Sequence, residues 1–104
     1  MKKVVDFEQA KRLIDCDICI PSDFEVNSFN AYIWNDNEPS INFYYAPNIG
    51  ELIEWISNQQ IKSDCYSSYM MCVAHEILEV GICQTELIDR LVELVIKIKI
   101  KEEL

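Results

Sequence analysis

Two short motifs place zinc-ligating residue types at a spacing that metal sites use. Cys16 and Cys19 are separated by two residues, and so are Cys72 and His75. Together they could supply the four ligands of a structural zinc site. However, neither motif contains a glycine to form the tight turn that directs both side chains inward. An extended chain would also place Cys16 and Cys19 on opposite faces. The sequence therefore favours reduced thiols, and it leaves a zinc-stabilised module as an alternative.

His75 is the single histidine of the chain, and its surroundings resemble part of a metalloprotease motif. Glu79 stands where the second histidine of an HExxH helix would be, which removes a ligand. A nucleophilic pair of Cys72 and His75 would need an oxyanion hole and an orienting group, and no pattern supplies them. The two glycines are isolated, so no phosphate-binding loop is present. We therefore predict no enzyme activity, no cofactor and no bound metal.

Acidic charge outweighs basic charge, and the excess lies in the middle of the chain. The 104 residues include 18 Asp and Glu and 9 Lys and Arg, for a formal net charge of −9. Residues 13–89 hold 13 of the acidic side chains and a single basic one, Lys62. Nucleic acid is bound through its phosphates by a basic face, so this balance argues against direct nucleic-acid binding. It favours a basic protein partner, and a face that only keeps the protein soluble is the competing interpretation.

The expected partner-binding residues are the acidic side chains that precede Lys62 and follow Arg12, because no counter-ion lies between them in the sequence. They are Asp15, Asp17, Asp23, Glu25, Asp36, Glu38, Glu51 and Glu54. Aromatic residues in the same span could anchor contacts, although packing in the core is the simpler explanation for most of them. These are Phe29, Tyr32, Trp34, Tyr44 and Tyr45.

Apolar spacing and capping residues predict the elements that must position these side chains. We expect a helix over 6–14 capped by Asp6, and a second from Asn48 to about Gln59 with Glu51 completing a capping box. A third helix would start at Ser63 or Asp64 and stop at Gly81, and a fourth would start at Thr85. Residues 29–46 predict a β-hairpin whose polar turn, 35–40, carries Asp36 and Glu38. The prediction is an α+β fold, in which a β-hairpin or small antiparallel sheet packs with three to four helices as a single domain over 1–104.

The C-terminal segment carries two conflicting patterns. Residues 96–101 alternate isoleucine and lysine, which is typical of a strand. Glu93, Lys97 and Lys101 stand four residues apart, which favours a helix. We favour a helix to about residue 99, with an edge strand guarded by lysines as the alternative.

No apolar run is long enough for a membrane helix, which needs roughly 18 residues. At the N-terminus, Asp6 and Glu8 interrupt any signal-peptide core. We therefore expect a cytoplasmic protein that does not enter a membrane.

Two segments of the chain carry helix motifs. The first is Phe7-Glu8-Gln9-Ala10-Lys11-Arg12-Leu13, similar to an early EQA/ELAKxL helix, and the second runs from Tyr45 to Ile56, similar to an APTxxxxxxWL helix start. With these motifs the chain resembles short uncharacterised proteins from phages and prophages of gut bacteria. About 20 residues carry the resemblance, and the chain departs from it after residue 60. The resemblance implies a mobile-element origin. By analogy it suggests an inhibitor of a host nucleic-acid-binding machine, such as an anti-CRISPR or nucleic-acid mimic. An immunity protein against a basic nuclease toxin would carry the same acidic surface and stays an alternative.

Overall fold

A computed structural model of the protein describes residues 4–34, 42–63, 68–81 and 84–103. Within these ranges the elements, in chain order, are α1 (Phe7–Asp15), β1 (Phe24–Val26), β2 (Tyr32–Trp34), β3 (Tyr44–Tyr45), α2 (Ile49–Ser63), α3 (Ser68–Val80) and α4 (Gln84–Glu103). The helices pack with a small antiparallel sheet of three strands. The predicted α+β class is therefore confirmed.

The first helix begins as its sequence predicts. Asp6 has extended backbone, and its Oδ1 accepts a hydrogen bond from the backbone N–H of Gln9 at 2.9 Å. The Gln9 side chain accepts from the Asp6 N–H at 3.1 Å, which completes a capping box. Ala10 and Leu13 then face the core while Lys11 and Arg12 remain exposed.

The second helix is also capped as predicted. Asn48 Oδ1 accepts from the Glu51 N–H at 2.8 Å, and Glu51 Oε1 accepts from the Asn48 N–H at 3.0 Å. This reciprocal pair satisfies backbone donors that a helix start leaves unpaired. The helix extends beyond Gln59 to Ser63. Ser63 therefore ends α2 and does not cap α3, and Asp64 lies outside the described residues.

The prediction that the aromatic segments within residues 29–46 pair with each other as a hairpin is wrong. Strand order is β2-β1-β3, so both segments pair antiparallel with β1 and not with each other. Phe24 lies opposite Trp34, and Glu25 lies between Ile33 and Tyr45. The physical reason is that β1 supplies ladder partners on both of its edges. The expected turn at 35–40 lies outside the described residues.

The last two helices supply half of the buried apolar side chains that the structure describes. Gly81 ends α3 with a φ of 62°, and its N–H donates to the carbonyl of Ile77 at 2.9 Å. Thr85 lies inside α4 and is not its cap. The tail after Val95 is helical to Glu103, so the edge-strand alternative is wrong.

Helix α4 packs against both α2 and α3, and α1 contacts β3 and α4. The fully buried side chains at this junction are Leu52 and Ile56 of α2 and Ile88, Leu91, Val92 and Val95 of α4. None of the helices in the described ranges combines the length and the apolar character needed to cross a membrane.

Candidate functional site

The C-terminus of α1 places two of the expected partner-binding carboxylates on the surface. Asp17 adopts the left-handed conformation, with a φ of 59°, and its N–H donates to the carbonyl of Ile14 at 2.9 Å. The N–H of Ile18 donates to the carbonyl of Leu13 at 2.9 Å. These two bonds form a Schellman motif, in which the buried Ile18 and Leu13 lock the chain reversal. Asp15 and Asp17 are both exposed as a result.

The segment that follows alternates between core and solvent. Ile18 and Ile20 are buried, whereas Cys19, Pro21 and Asp23 are exposed. This alternation is the extended-chain periodicity of two residues, and it orients Asp23 outward just before β1.

Ser22 connects this segment to the start of α2. Its Oγ lies 3.0 Å from the carbonyl oxygen of Ala46 and 2.9 Å from Oε1 of Glu51, and it accepts from the Phe24 N–H at 3.3 Å. Glu51 Oε1 also accepts a hydrogen bond from the Asn48 N–H, and Glu51 is half-buried. This carboxylate therefore contributes to the structure. Glu54, one turn later, is exposed.

An open groove of about 350 Å³ lies between this segment and α2. Cys19 and Pro21 line the side formed by the segment, and Glu51, Glu54 and Trp55 line the side formed by α2. Asp17 and Asp23 flank the segment that forms the first side. We call Asp15, Asp17, Asp23, Glu51 and Glu54 the acidic surface.

Cations elsewhere in the fold pair with other carboxylates. Arg12 of α1 makes a bidentate contact with Glu93 of α4, with Nη2 3.2 Å from Oε2. Arg90 lies 3.0 Å from Glu76 and 2.9 Å from Glu79 of α3. The hydrogen bond from Arg12 lowers the pKa of Glu93 from its usual value and raises the pKa of Arg12.

Among the described residues, no cationic side chain pairs with the carboxylates of the acidic surface. Asp15, Asp17, Asp23 and Glu54 form no ion pair there. Their carboxylates are therefore hydrated and available to a cationic group.

The other expected partner-binding residues are placed differently. Glu25 is only 1% exposed, since it occupies the middle of the central strand, so its expected place on a binding surface is corrected. Asp36 and Glu38 lie outside the described residues. The role of the acidic surface in binding stays a prediction.

The four residues of the zinc alternative are not brought together. In the described parts of the chain, no three His, Cys, Asp or Glu side chains are arranged to hold a metal ion, and this includes Cys16, Cys19, Cys72 and His75. His75 Nε2 lies 3.5 Å from Glu79 Oε2 on one exposed face of α3, as the helical spacing predicts. The alternative of a zinc-stabilised module therefore has no assembled site here.

A second surface feature consists of side chains from the aromatic span, for most of which core packing is the simpler expectation. Phe29, at the tip of the hairpin formed by β1 and β2, is 88% exposed, and Trp34 is 64% exposed. Tyr32 and Ile33 are also exposed. We call these four side chains and their hairpin the aromatic hairpin. The turn residues Asn27 and Asn30, on either side of Phe29, were the sequence signal that this ring lies at a loop tip.

No family model matches the chain, and neither a curated protein nor a solved structure is significantly similar to it.

Proposed function

We propose that this chain is a small protein-binding domain whose acidic surface docks on a basic protein partner. The observation that carries the proposal is a stretch of chain without cations. Residues 13–61 contain eight acidic side chains and no lysine or arginine. Four of those carboxylates are exposed without an ion pair among the described residues. Such a surface accelerates association with a basic partner and disfavours acidic ones.

The partner class that fits best is a nucleic-acid-binding protein of a bacterial host. Carboxylates spaced along a surface present negative charge where a nucleic acid presents phosphates, so they compete for the same basic groove. The resemblance of the α1 segment and of the Tyr45–Ile56 segment to phage proteins adds a mobile-element origin. In this proposal the chain acts in the host cytoplasm as an inhibitor of the anti-CRISPR or nucleic-acid-mimic type.

An immunity protein against a basic nuclease toxin is the second candidate, because it needs the same acidic surface. The identity of the partner separates the two. Affinity capture from the native host, followed by mass spectrometry, would return a nucleic-acid-binding effector in the first case and a toxin nuclease in the second.

The charge dependence of binding tests the proposal. With the captured partner purified, its affinity for the chain should fall steeply between about 50 and 200 mM salt, because added ions screen exposed charges beyond roughly one Debye length. An affinity that does not change with salt would contradict the proposal.

A matched pair of double variants locates the effect. Asp17→Asn with Asp23→Asn removes two charges from the acidic surface, and Glu8→Gln with Glu86→Gln removes two exposed charges from α1 and α4. We expect the first pair to slow association and flatten the salt dependence, while the second pair changes both much less. Equal effects of the two pairs would show that only net charge matters.

A further inference from the structure

The turn at the tip of the aromatic hairpin is held by its own hydrogen bonds. The side-chain Oδ1 of Asn27 accepts from the N–H of Phe29 at 2.9 Å and from the N–H of Ala31 at 3.0 Å. The carbonyl of Asn27 accepts from the N–H of Asn30 at 2.9 Å, and Asn30 is left-handed with a φ of 57°. A type I turn followed by a left-handed residue is a common three-residue hairpin loop. The backbone that carries Phe29 is therefore fixed.

The hairpin is also fixed to the rest of the fold. Asn30 Oδ1 accepts from the N–H of Phe7 at the start of α1, at 2.9 Å. The hydroxyl of Tyr32 donates to the carbonyl of Val5 at 3.2 Å. Trp34 lies edge-on against Phe24, with ring centroids 4.7 Å apart. A partner that contacts these rings would meet a surface that is already ordered, which reduces the entropy lost on binding.

Exposed rings on a rigid turn are costly for solubility and useful for recognition. Contiguous exposed apolar groups on a soluble protein mark interaction sites, and tryptophan and tyrosine are enriched among the residues that contribute most to binding. Phe29 is the clearest case of a ring exposed for recognition. A polar residue would fit the same turn position, so the fold does not require an aromatic side chain there.

The charge of the surrounding chain indicates what covers the rings. The aromatic hairpin belongs to the cation-free span 13–61, and the exposed Asp23 directly precedes β1. A second copy of the chain would bring the same negative span and a net charge of −9, so it is electrostatically disfavoured. Aromatic faces attract guanidinium and ammonium groups, arginine more often than lysine.

We propose that Phe29, Tyr32 and Trp34 anchor the complex by receiving arginine side chains of the basic partner. This inference rests on the proposed function and adds a stacking contact to the electrostatic one. Carboxylates attract both arginine and lysine, and the planar guanidinium in addition stacks on the rings.

The test uses two synthetic probes, nona-arginine and nona-lysine, titrated calorimetrically into the full chain at low salt. We expect nona-arginine to bind several-fold more tightly. Phe29→Ala should weaken nona-arginine binding about two- to fivefold, the effect of losing one exposed cation–π contact, and weaken nona-lysine binding less, because arginine makes such contacts more often than lysine. The matched control is Leu78→Ala, because Leu78 is an apolar residue of α3 that is 82% exposed.

The outcomes separate this inference from the proposed function. Equal affinities for the two peptides, or equal effects of the Phe29 and Leu78 variants, would overturn the anchor. If the Asp17 and Asp23 double variant still bound both peptides more weakly than the parent, the acidic docking surface would be supported without the aromatic anchor. If neither peptide bound the chain at low salt, the result would count against both the aromatic anchor and the acidic docking surface. Circular dichroism of the Phe29 variant should match the parent, because this side chain is almost fully solvated.

Discussion

The C-terminal segment of α4 offers a direct test of helical packing. Two of its isoleucines would be similarly buried in a strand, and they differ in burial in the helix. In a strand, Ile98 and Ile100 would share one face. In α4, Ile98 is 3% exposed and Ile100 is 53% exposed. We therefore compare Ile98→Ala with Ile100→Ala.

The expected magnitudes follow from burial. The three carbon atoms removed from a buried isoleucine contribute about 2.4 kcal/mol, at about 0.8 kcal/mol for each methylene-sized group. At Ile100 about half of that burial exists, or about 1.1 kcal/mol. The better helix propensity of alanine offsets about 0.4 kcal/mol at both positions. The expected losses are thus about 2.0 kcal/mol for Ile98→Ala and about 0.7 kcal/mol for Ile100→Ala.

Urea unfolding followed by far-ultraviolet circular dichroism measures both losses, with thermal melting as a second reading. For a domain near this size, 1 kcal/mol shifts the melting temperature by about 4–8 °C, so Ile98→Ala should lower it by about 8 °C or more. The shift for Ile100→Ala should stay below about 6 °C. Equal losses for the two variants would refute the helical packing of this segment and restore the edge-strand alternative.

Two further predictions concern charge and backbone. Because Arg12 lowers the folded-state pKa of Glu93, the stabilisation from this pair is complete above the unfolded pKa of about 4.3 and is lost as the pH falls through the lowered value. The free energies of unfolding from urea titrations at pH 7 and pH 3 should therefore differ less for Glu93→Gln than for the parent, by at most about 0.5 kcal/mol because the pair is exposed. Gly81→Ala should cost about 1 kcal/mol in a thermal melt, since the left-handed backbone there disfavours a side chain. Gly50→Ala in the first turn of α2 is the control, with an expected gain of about 0.5 kcal/mol.

The helices were predictable because their signals are local. Asp6 and the Asn48–Glu51 pair each act within one turn, so the sequence contains the whole capping interaction. The sheet was not predictable in the same way. Strand β1 spans only three residues, and its two partners are decided by contacts far along the chain. A short strand without alternation leaves no periodic signal, so the more strongly patterned aromatic segments were paired with each other.

In the candidate site, too, the exposure of some residues is determined locally and was predictable, whereas the burial of others depends on tertiary contacts. Carboxylates in turns and helix ends are exposed by default, which is why Asp17 and Asp23 could be anticipated. The burial of Glu25 follows from its place in a central strand, which depends on the tertiary pairing that sequence reasoning missed. Core packing is the simpler expectation for most aromatic residues of this span, whereas the turn that carries Phe29 holds its ring in solvent.

The distribution of paired and unpaired charge bears on whether the acidic surface only keeps the protein soluble. A surface built for solubility mixes both signs, because interspersed charges limit self-repulsion. This fold contains cations, and Arg12 and Arg90 are held by carboxylates of α3 and α4. The exposed carboxylates between Asp15 and Glu54 share their span of sequence with no lysine or arginine at all. Mutual repulsion there lowers stability slightly, and a cationic partner would relieve it. The same span of sequence carries the exposed rings of the aromatic hairpin.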